Sequence, residues 1–394
     1  MSTDKFPFTR RCPYELPDEY RKLQAADTIE QVDIAHGGQA WMLTSYEDVK
    51  FALQDISMSL DRTHPNYPSP LPIPPAFRTN ASLLGMDPPE HTDFRKIVKA
   101  EFTLRRVLAM KPRIAEIVDE HIDQFLSQPD RCGEVMEDLA VPLTLAVIGE
   151  LLAIPAEDLP GLHHNTRRMF DGAVTQEERN AAITYLDGYF HDFVAAKFST
   201  PGDDMMSRII ARDPNRTVTE IIHLTRLLMN GGHDSTASMI GLGVVVLLQH
   251  RDTFLALPAE PELVDSTVEE LLRLLTVTDL TTPRVAASDV TIKGEHIRRG
   301  EGVYPSTAAA NHDPNMFPNP HEFDPRRPNT DRHLTFGFGR HLCLGADLSR
   351  VELQLVFSKL AAKAPTLALA IPDNEIPYMD GGFVYRAKRI PVRW

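Results

Sequence analysis

At 394 residues the chain is long enough to enclose a large core, and its 42% hydrophobic and 24% charged content is that of an ordinary water-soluble globular protein. A net charge of −14 argues against nonspecific nucleic-acid binding. The three cysteines, Cys12, Cys132 and Cys343, show neither paired nor zinc-type spacing, which excludes a disulfide framework and fits a reducing compartment. Met1-Ser2-Thr3-Asp4-Lys5-Phe6-Pro7 carries no apolar signal run, and the longest apolar stretch, Met239 to Leu248, is too short to span a bilayer. A cytoplasmic protein with no membrane segment is therefore expected.

In chain order, Ile29 to Ile34 and Gln39 to Thr44 read as two strands joined through Gly37-Gly38, a hairpin signal. Ser45 then caps a helix running to about Gln54, with Asp48 three residues on. A loop holding Pro65, Pro68, Pro70, Pro72, Pro74 and Pro75 excludes both helix and central strand. Arg62, His64 and Arg78 stand against Asp61 near it, which admits a substrate bearing an acceptor or a carboxylate. Pro88-Pro89-Glu90 opens a helix well, and His91 and Arg95, four apart, share one of its faces. Two such groups on one face suit an anion such as a carboxylate. Arg95, Lys96, Lys99, Arg105 and Arg106 form a basic cluster in an otherwise acidic chain.

Amphipathic helices are predicted from about Pro112 to Phe125, Met136 to Leu152 and Gln176 to Phe198. Thr217-Val218-Thr219-Glu220 is a capping box that opens a long helix to about His250, some 50 Å at about 1.5 Å per residue. Gly231-Gly232-His233-Asp234-Ser235-Thr236 stands in its middle. Paired glycines weaken a helix, and Ser235 can bond the Gly231 carbonyl and bend it. Glu270 and Arg273 are helix neighbours, and on spacing alone they read as a surface pair of little consequence. Strand structure begins at Thr281-Thr282-Pro283-Arg284-Val285-Ala286, and the segment from Ala309 to Pro328 is loop-rich.

Phe336-Gly337-Phe338-Gly339-Arg340-His341-Leu342-Cys343-Leu344-Gly345 places a cysteine in a glycine-rich loop. The spacing Leu348, Val351, Leu355 that follows marks a helix face. Cys343 is thus expected at or just before a helix N-terminus, where free N–H groups and the helix dipole favour a thiolate. Gly337 and Gly339 permit a tight turn, and Gly345 a close approach to something flat.

The pattern Phe-x-x-Gly-x-x-x-Cys-x-Gly resembles the haem-ligand loop of the cytochrome P-450 family, and the match extends over essentially the whole chain. The resemblance implies a mainly α fold with small β-sheets, one domain over residues 1–394, with haem b between the long central helix and the cysteine-loop helix. It implies that Cys343 is the axial thiolate ligand of the iron, and that His91, Arg95, Arg284 and His341 hold the haem propionates, with His333 a weaker candidate. Gly231 to Thr236 resembles the oxygen-activation motif, which makes Asp234 the acid and Ser235 the stand-in for the usual threonine. Thr236 is the other hydroxyl at hand. His233 falls on the variable position of that motif, where it could also contact substrate. Glu270 and Arg273 match a structural pair that joins Arg327 and braces the haem loop. The proline-rich loop matches a lid. The segment from Leu159 to Gly188 roofs the pocket, with Phe170, Val174 and Tyr185 as candidates to face substrate. Leu280 to Pro283 passes beside the pocket, and Gly381-Gly382-Phe383-Val384 matches a hairpin tip inserted into it.

The function implied is insertion of an oxygen atom from O2 into a small or medium apolar organic substrate. The N-terminal Phe6 to Tyr14 string and the Asp87 to His91 string look most like actinobacterial members, which points to secondary-metabolite tailoring. No flavin or iron–sulfur module fits in this length, so a ferredoxin and its reductase are the implied electron donors, and the basic cluster could receive an acidic partner. A monomer is expected. Oxidative coupling, or oxidation of a carrier-protein-tethered substrate on the same haem, is the alternative. A peroxygenase is disfavoured by Asp234 with Ser235, and a non-enzymatic haem sensor by the same motif. Hydroxylation, epoxidation, coupling and dealkylation are not separable from these residues.

Overall fold

The computed structural model describes residues 5–10, 12–71, 82–170, 174–379 and 384–394. Pro72, Pro74, Pro75 and Arg78 of the expected lid, the hairpin-tip residues Gly381, Gly382 and Phe383, and the side chain of Phe170 lie outside that description. Among the described residues the chain forms α1 (Asp18–Ala26), α2 (Tyr46–Gln54), α3 (Glu90–Lys99), α4 (Leu104–Leu126), α5 (Val141–Leu152), α6 (Leu159–Phe170), α7 (Gln176–Ser199), α8 (Met205–Arg212), α9 (Val218–Gln249), α10 (Arg251–Ala256), α11 (Pro261–Leu275), α12 (Thr307–Asn311) and α13 (Ala346–Lys363).

The capping signals are realised. The Ser45 side chain accepts from Asp48 N at the start of α2, and Thr217 with Glu220 closes a full capping box on α9. The hairpin forms between Glu30–Ile34 and Gly38–Leu43, antiparallel. It belongs to a five-stranded sheet in which Gly38–Leu43 pairs in parallel with Gly302–Pro305, followed by Arg284–Ala286 and Met58–Ser59. The described part of the proline-rich loop is bound down onto this sheet: Tyr67 and Leu71 are buried and Pro68 packs on Gly302.

Two helix boundaries differ from expectation. The helix expected at Pro112 begins eight residues earlier, at Leu104, with Pro112 inside it. Proline removes one helical hydrogen bond, and Leu108, whose carbonyl loses its donor, is 49% exposed, so water can replace it. The segment expected as one helix from Met136 to Leu152 starts as a π-helical turn, Met136–Ala140, and runs on into α5.

The 32-residue α9 is the central element, in contact with α5, α7, α11 and α13. It is long and apolar enough to cross a membrane on composition alone, but 72% of its apolar window is buried inside the protein, as suits a core helix. At Gly232 an added Cβ would lie 2.7 Å from Ile148 Cδ1, so a side chain there would push α5 away. Gly232 therefore serves close helix packing, Gly231 does not, and α9 runs through the pair unbroken.

Glu270 and Arg273 are both fully buried, so the surface reading of their spacing is wrong for this chain. Arg273 Nε donates to Glu270 Oε2 at 2.7 Å, and one terminal nitrogen donates to the carbonyls of Asn311 and Pro320, each at 2.8 Å. Arg327 joins through Nε at 3.1 Å from Glu270 Oε1, as the family match implied. Next to this triad, Glu269 accepts from Arg350 at 2.6 Å, and His333 Nε2 lies 3.2 Å from it. Burial alone would push the Glu269 carboxyl up, but the hydrogen bonds from His333 and Arg350 outweigh it and hold the group at about 2.

Arg273→Ala should destabilise the holoenzyme by about 3–5 kcal/mol in denaturant unfolding, because it leaves Glu270 buried and unpaired; a loss below about 1 kcal/mol would contradict the brace. Glu269 makes an acid-dependent contribution. Its folded-state value lies below the ordinary carboxylate value, so its stabilisation is complete above ~4.5 and is lost as pH falls toward ~2. The melting temperatures of wild type and Glu269→Gln should accordingly converge between pH ~6 and pH ~3. A gap that stays constant with pH would show that the ionised carboxylate is not what stabilises.

Candidate active site

The cysteine loop is a tight turn docked on α2. Cys343 N donates to Phe336 O at 2.8 Å. Gly339 has φ 70°, and an added Cβ would lie 2.8 Å from Gln54 Cβ, so glycine is required there on both counts. Arg340 clamps the loop by donating to the carbonyls of Gln54, Asp55 and Met58 at 2.8, 2.6 and 3.1 Å.

Cys343 stands three residues before the first residue of α13. Its thiol has open surface, yet the protein around it desolvates it, and that burial pushes its pKa up. A hydrogen bond from Gly345 N–H, and then Arg95 and Arg350, pull the other way without prevailing. Burial thus opposes the thiolate that the helix terminus favours, and a bound cation would hold the deprotonated sulfur.

Four residues expected to bind carboxylates gather beside this loop. His91 is buried, its ring centroid 3.9 Å from that of His341. Arg95 donates to Leu342 O, next to the cysteine. Arg284 is buried and bonds the carbonyls of Thr282 and Pro283 at 2.9 and 3.1 Å. Burial, then Arg95 and Arg340, lower His91 to about 4. Burial, then His91, Arg284, Arg340 and Arg95, lower His341 to about 2. Burial pushes Arg284 down to about 10.

These groups repel one another's charge. Both ring nitrogens of His91, Nε2 of His341 and Nε of Arg340 are buried without a hydrogen-bond partner. The neighbouring carboxylate, Asp87, is occupied by Ser59 and the Leu60 N–H. A cluster of desolvated donors lacking anions fits a group that brings its own carboxylates. With Cys343 alongside, and no protein atom within 4 Å of a Cβ built on Gly345, these residues fit haem.

On α9, four consecutive motif residues take different surroundings. Ser235 Oγ donates to Gly231 O at 2.8 Å on an accessible face, and an added Cβ at Gly231 would meet no protein atom within 4 Å. Thr236 is buried. The Asp234 carboxylate lies 3.5 Å from Arg386, in the strand Arg386–Ala387 that pairs with Tyr378–Met379. His233 contacts no open face: it is buried, with Nδ1 2.8 Å from Thr144 Oγ1 and Nε2 2.8 Å from His163 Nδ1.

His333 is drawn away from the cluster into the pair with Glu269 described above. Tyr185 is 43% exposed, with its hydroxyl against Gly161 of α6 rather than enclosed. The basic cluster divides: Arg106 turns to the buried Glu101, which also takes Arg208 and Arg212, while Lys96, Lys99 and Arg105 stay exposed. Two residues in contact with these groups escaped the sequence reading. Arg340 stood inside the quoted loop, where an arginine three before the cysteine was the available signal. His163 had none.

The chain is similar to known proteins over its full length. The family profile described as Cytochrome P450 matches residues 196–361. Cytochrome P450 105A3 of Streptomyces carbophilus is 35% identical, covering 99% of this chain and 95% of that protein. Pentalenic acid synthase of Streptomyces avermitilis is 36% identical, with 99% and 97% covered. Among solved structures, cytochrome P450 MoxA from Nonomuraea recticatena superposes with a TM-score of 0.90 at 36% identity, covering 100% of this chain and 99% of that one. The mycinamicin VIII C21 methyl hydroxylase MycCI from Micromonospora griseorubida gives a TM-score of 0.91 at 29% identity, with 99% of each covered. The mainly helical fold agrees with these relatives, and the chain belongs to the cytochrome P450 family of haem b monooxygenases.

Proposed function

We propose that Cys343 is the axial iron ligand, that His91, Arg95, Arg284 and His341 hold the haem carboxylates, and that Asp234 and Ser235 deliver protons during oxidation of a small or medium apolar metabolite. The observation that carries this reading is the set of buried, partnerless nitrogens on His91, His341 and Arg340 beside the cysteine loop. When bound, the haem supplies dioxygen activation, with the cysteine sulfur donating electron density that favours O–O cleavage. The chain's own residues position and protonate. Arg340 fixes the loop, and Arg95 ties α3 to the carbonyl beside Cys343. Asp234 gives up its proton toward the open face of α9 and is held in place by Arg386. Ser235 lacks the methyl that would restrict a threonine rotamer, but its bond to Gly231 O confines it instead. Thr236, buried beside it, is less suited to that work.

The protein acts as one domain over residues 1–394, as a cytoplasmic monomer. Relatives named pentalenic acid synthase and mycinamicin hydroxylase support secondary-metabolite tailoring. Bacterial family members take electrons from a ferredoxin and its reductase. Lys96, Lys99 and Arg105, with exposed Leu104 and Leu108 nearby, suit an acidic ferredoxin docked on this side.

The reduced carbon monoxide complex should show a strongly red-shifted Soret band in wild type and lose it in Cys343→Ala. If the wild-type holoenzyme lacks that band, Cys343 is not the ligand. Compounds from a metabolite library that shift the iron to high spin then identify the substrate class. Asp234→Asn should slow NADPH-driven oxygen consumption by about 10²-fold, the usual scale for loss of a general acid. Ser235→Ala should divert reducing equivalents to hydrogen peroxide. Unchanged oxygen consumption in Asp234→Asn would remove Asp234 from the mechanism.

A further inference from the structure

Resting on the reading of Asp234 as proton donor, we propose that His163 and His233 form a relay that recharges Asp234 from the protein surface. His233 Nε2 lies 3.7 Å from Asp234 Oδ1 and 2.8 Å from His163 Nδ1. The ring planes cross at 84° with centroids 4.7 Å apart, which at the 2.8 Å nitrogen–nitrogen separation leaves those two nitrogens facing each other.

The direction of the chain follows from Thr144. Its single hydroxyl proton is directed at Ala140 O, 2.9 Å away, so its oxygen accepts from His233 Nδ1–H at 2.8 Å. His233 Nε2 is then bare and accepts from His163 Nδ1–H. In the neutral pair His163 Nε2 is also bare, and it is buried without a hydrogen-bond partner. That nitrogen is the entry point. Near it stands the Arg167–Glu137 pair, 2.7 Å long, with side chains 40% and 51% exposed. Arg386 on the strand Arg386–Ala387, Arg167 on α6, Glu137 on the π-helical turn and Asp234 itself are charged groups around the two rings.

A proton added at His163 Nε2 releases the Nδ1 proton to His233 Nε2. His233 then passes that same proton to the Asp234 carboxylate and returns to its starting tautomer. His163 is left protonated on Nε2 and bare on Nδ1, and it regains its first tautomer by losing the Nε2 proton and taking one on Nδ1 when ring rotation frees that nitrogen from His233. Each cycle moves one proton and changes no other bond. Burial, reinforced by nearby arginines, lowers His233 to about 3, and burial, then His233, lowers His163 to about 4. Both rings are therefore neutral at rest, as a relay requires if it is to hand its proton on rather than keep it.

The test uses the holoenzyme, with a plant-type ferredoxin, its reductase and NADPH, reading oxygen consumption in H2O and in D2O. His163→Phe and His163→Gln should each slow it about fivefold or more and raise the solvent isotope effect. Placed on Asp234→Asn, neither should slow it further, because the relay acts only through that carboxylate. Glutamine can still hydrogen-bond His233 but cannot relay, so rescue by His163→Gln would show that the contact merely docks α6 on α9 and would overturn the proposal. A full additional loss on the Asp234→Asn background would overturn it too. If Asp234→Asn alone changes nothing, the carboxylate reading falls and takes the relay's destination with it. Independently of turnover, the 15N spectrum of the carbon-monoxide-bound ferrous protein should show scalar coupling between His163 Nδ1 and His233 Nε2; absence of that coupling would also sink the relay.

Discussion

The buried guanidinium of Arg273 is the constraint on which the site's geometry depends. Desolvating an ion pair costs several kcal/mol per ion, and the cost is offset only where every donor is met. Here the donors are met by Glu270 and by the carbonyls of Asn311, Pro320 and Glu322. Satisfying Arg273 therefore fixes where α12 and the following loop must lie relative to α11. Asn311 carries the constraint onward: its side chain donates to Thr276 and Thr335 and accepts from Leu334 N at 2.6 Å. Thr335 directly precedes Phe336, whose carbonyl takes the N–H of Cys343. Hydrogen bonds joined by a short stretch of chain thus lead from one buried arginine to the sulfur-bearing residue.

At the loop itself the protein accepts two electrostatic penalties at once. The thiol is desolvated, which opposes its ionisation, and the cluster of His91, His341, Arg95, Arg284 and Arg340 is short of anions. On the proposed assignment both penalties have the same remedy, since haem would bring a cation to the sulfur and carboxylates to the nitrogens. Binding would then be linked to folding of this region, as for any site whose charges are mutually unfavourable until the ligand arrives.

The sequence was informative where chemistry is local. Caps at Ser45 and Thr217 were readable because the cap and its partner are three residues apart. The bond from Ser235 to Gly231 was readable at a spacing of four. Where the partner is distant, spacing misled. Glu270 with Arg273 has the signature of a surface pair, and only the resemblance to a family pointed to the buried triad with Arg327. The start of α4 was misplaced because a proline normally begins a helix, and nothing local reveals that Leu108 is exposed to water. The histidine pair was invisible for the same reason: His233 meets His163 and Thr144 across 70 and 89 residues of chain.

The division of labour on α9 follows from helix geometry. Successive residues point about 100° apart, so 233, 234 and 235 cannot share a surroundings. His233 enters the core between α5 and α6, Asp234 meets the strand Arg386–Ala387, and Ser235 shares its accessible face with Gly231. In the proposed relay, Asp234 would thereby be flanked in sequence by a group facing the surface supply of protons and a group facing the site of their use. A shift of one residue along the helix would rotate all three away from those partners. Gly232 holds the register: packed against Ile148, it keeps α5 close enough for Thr144 to reach His233.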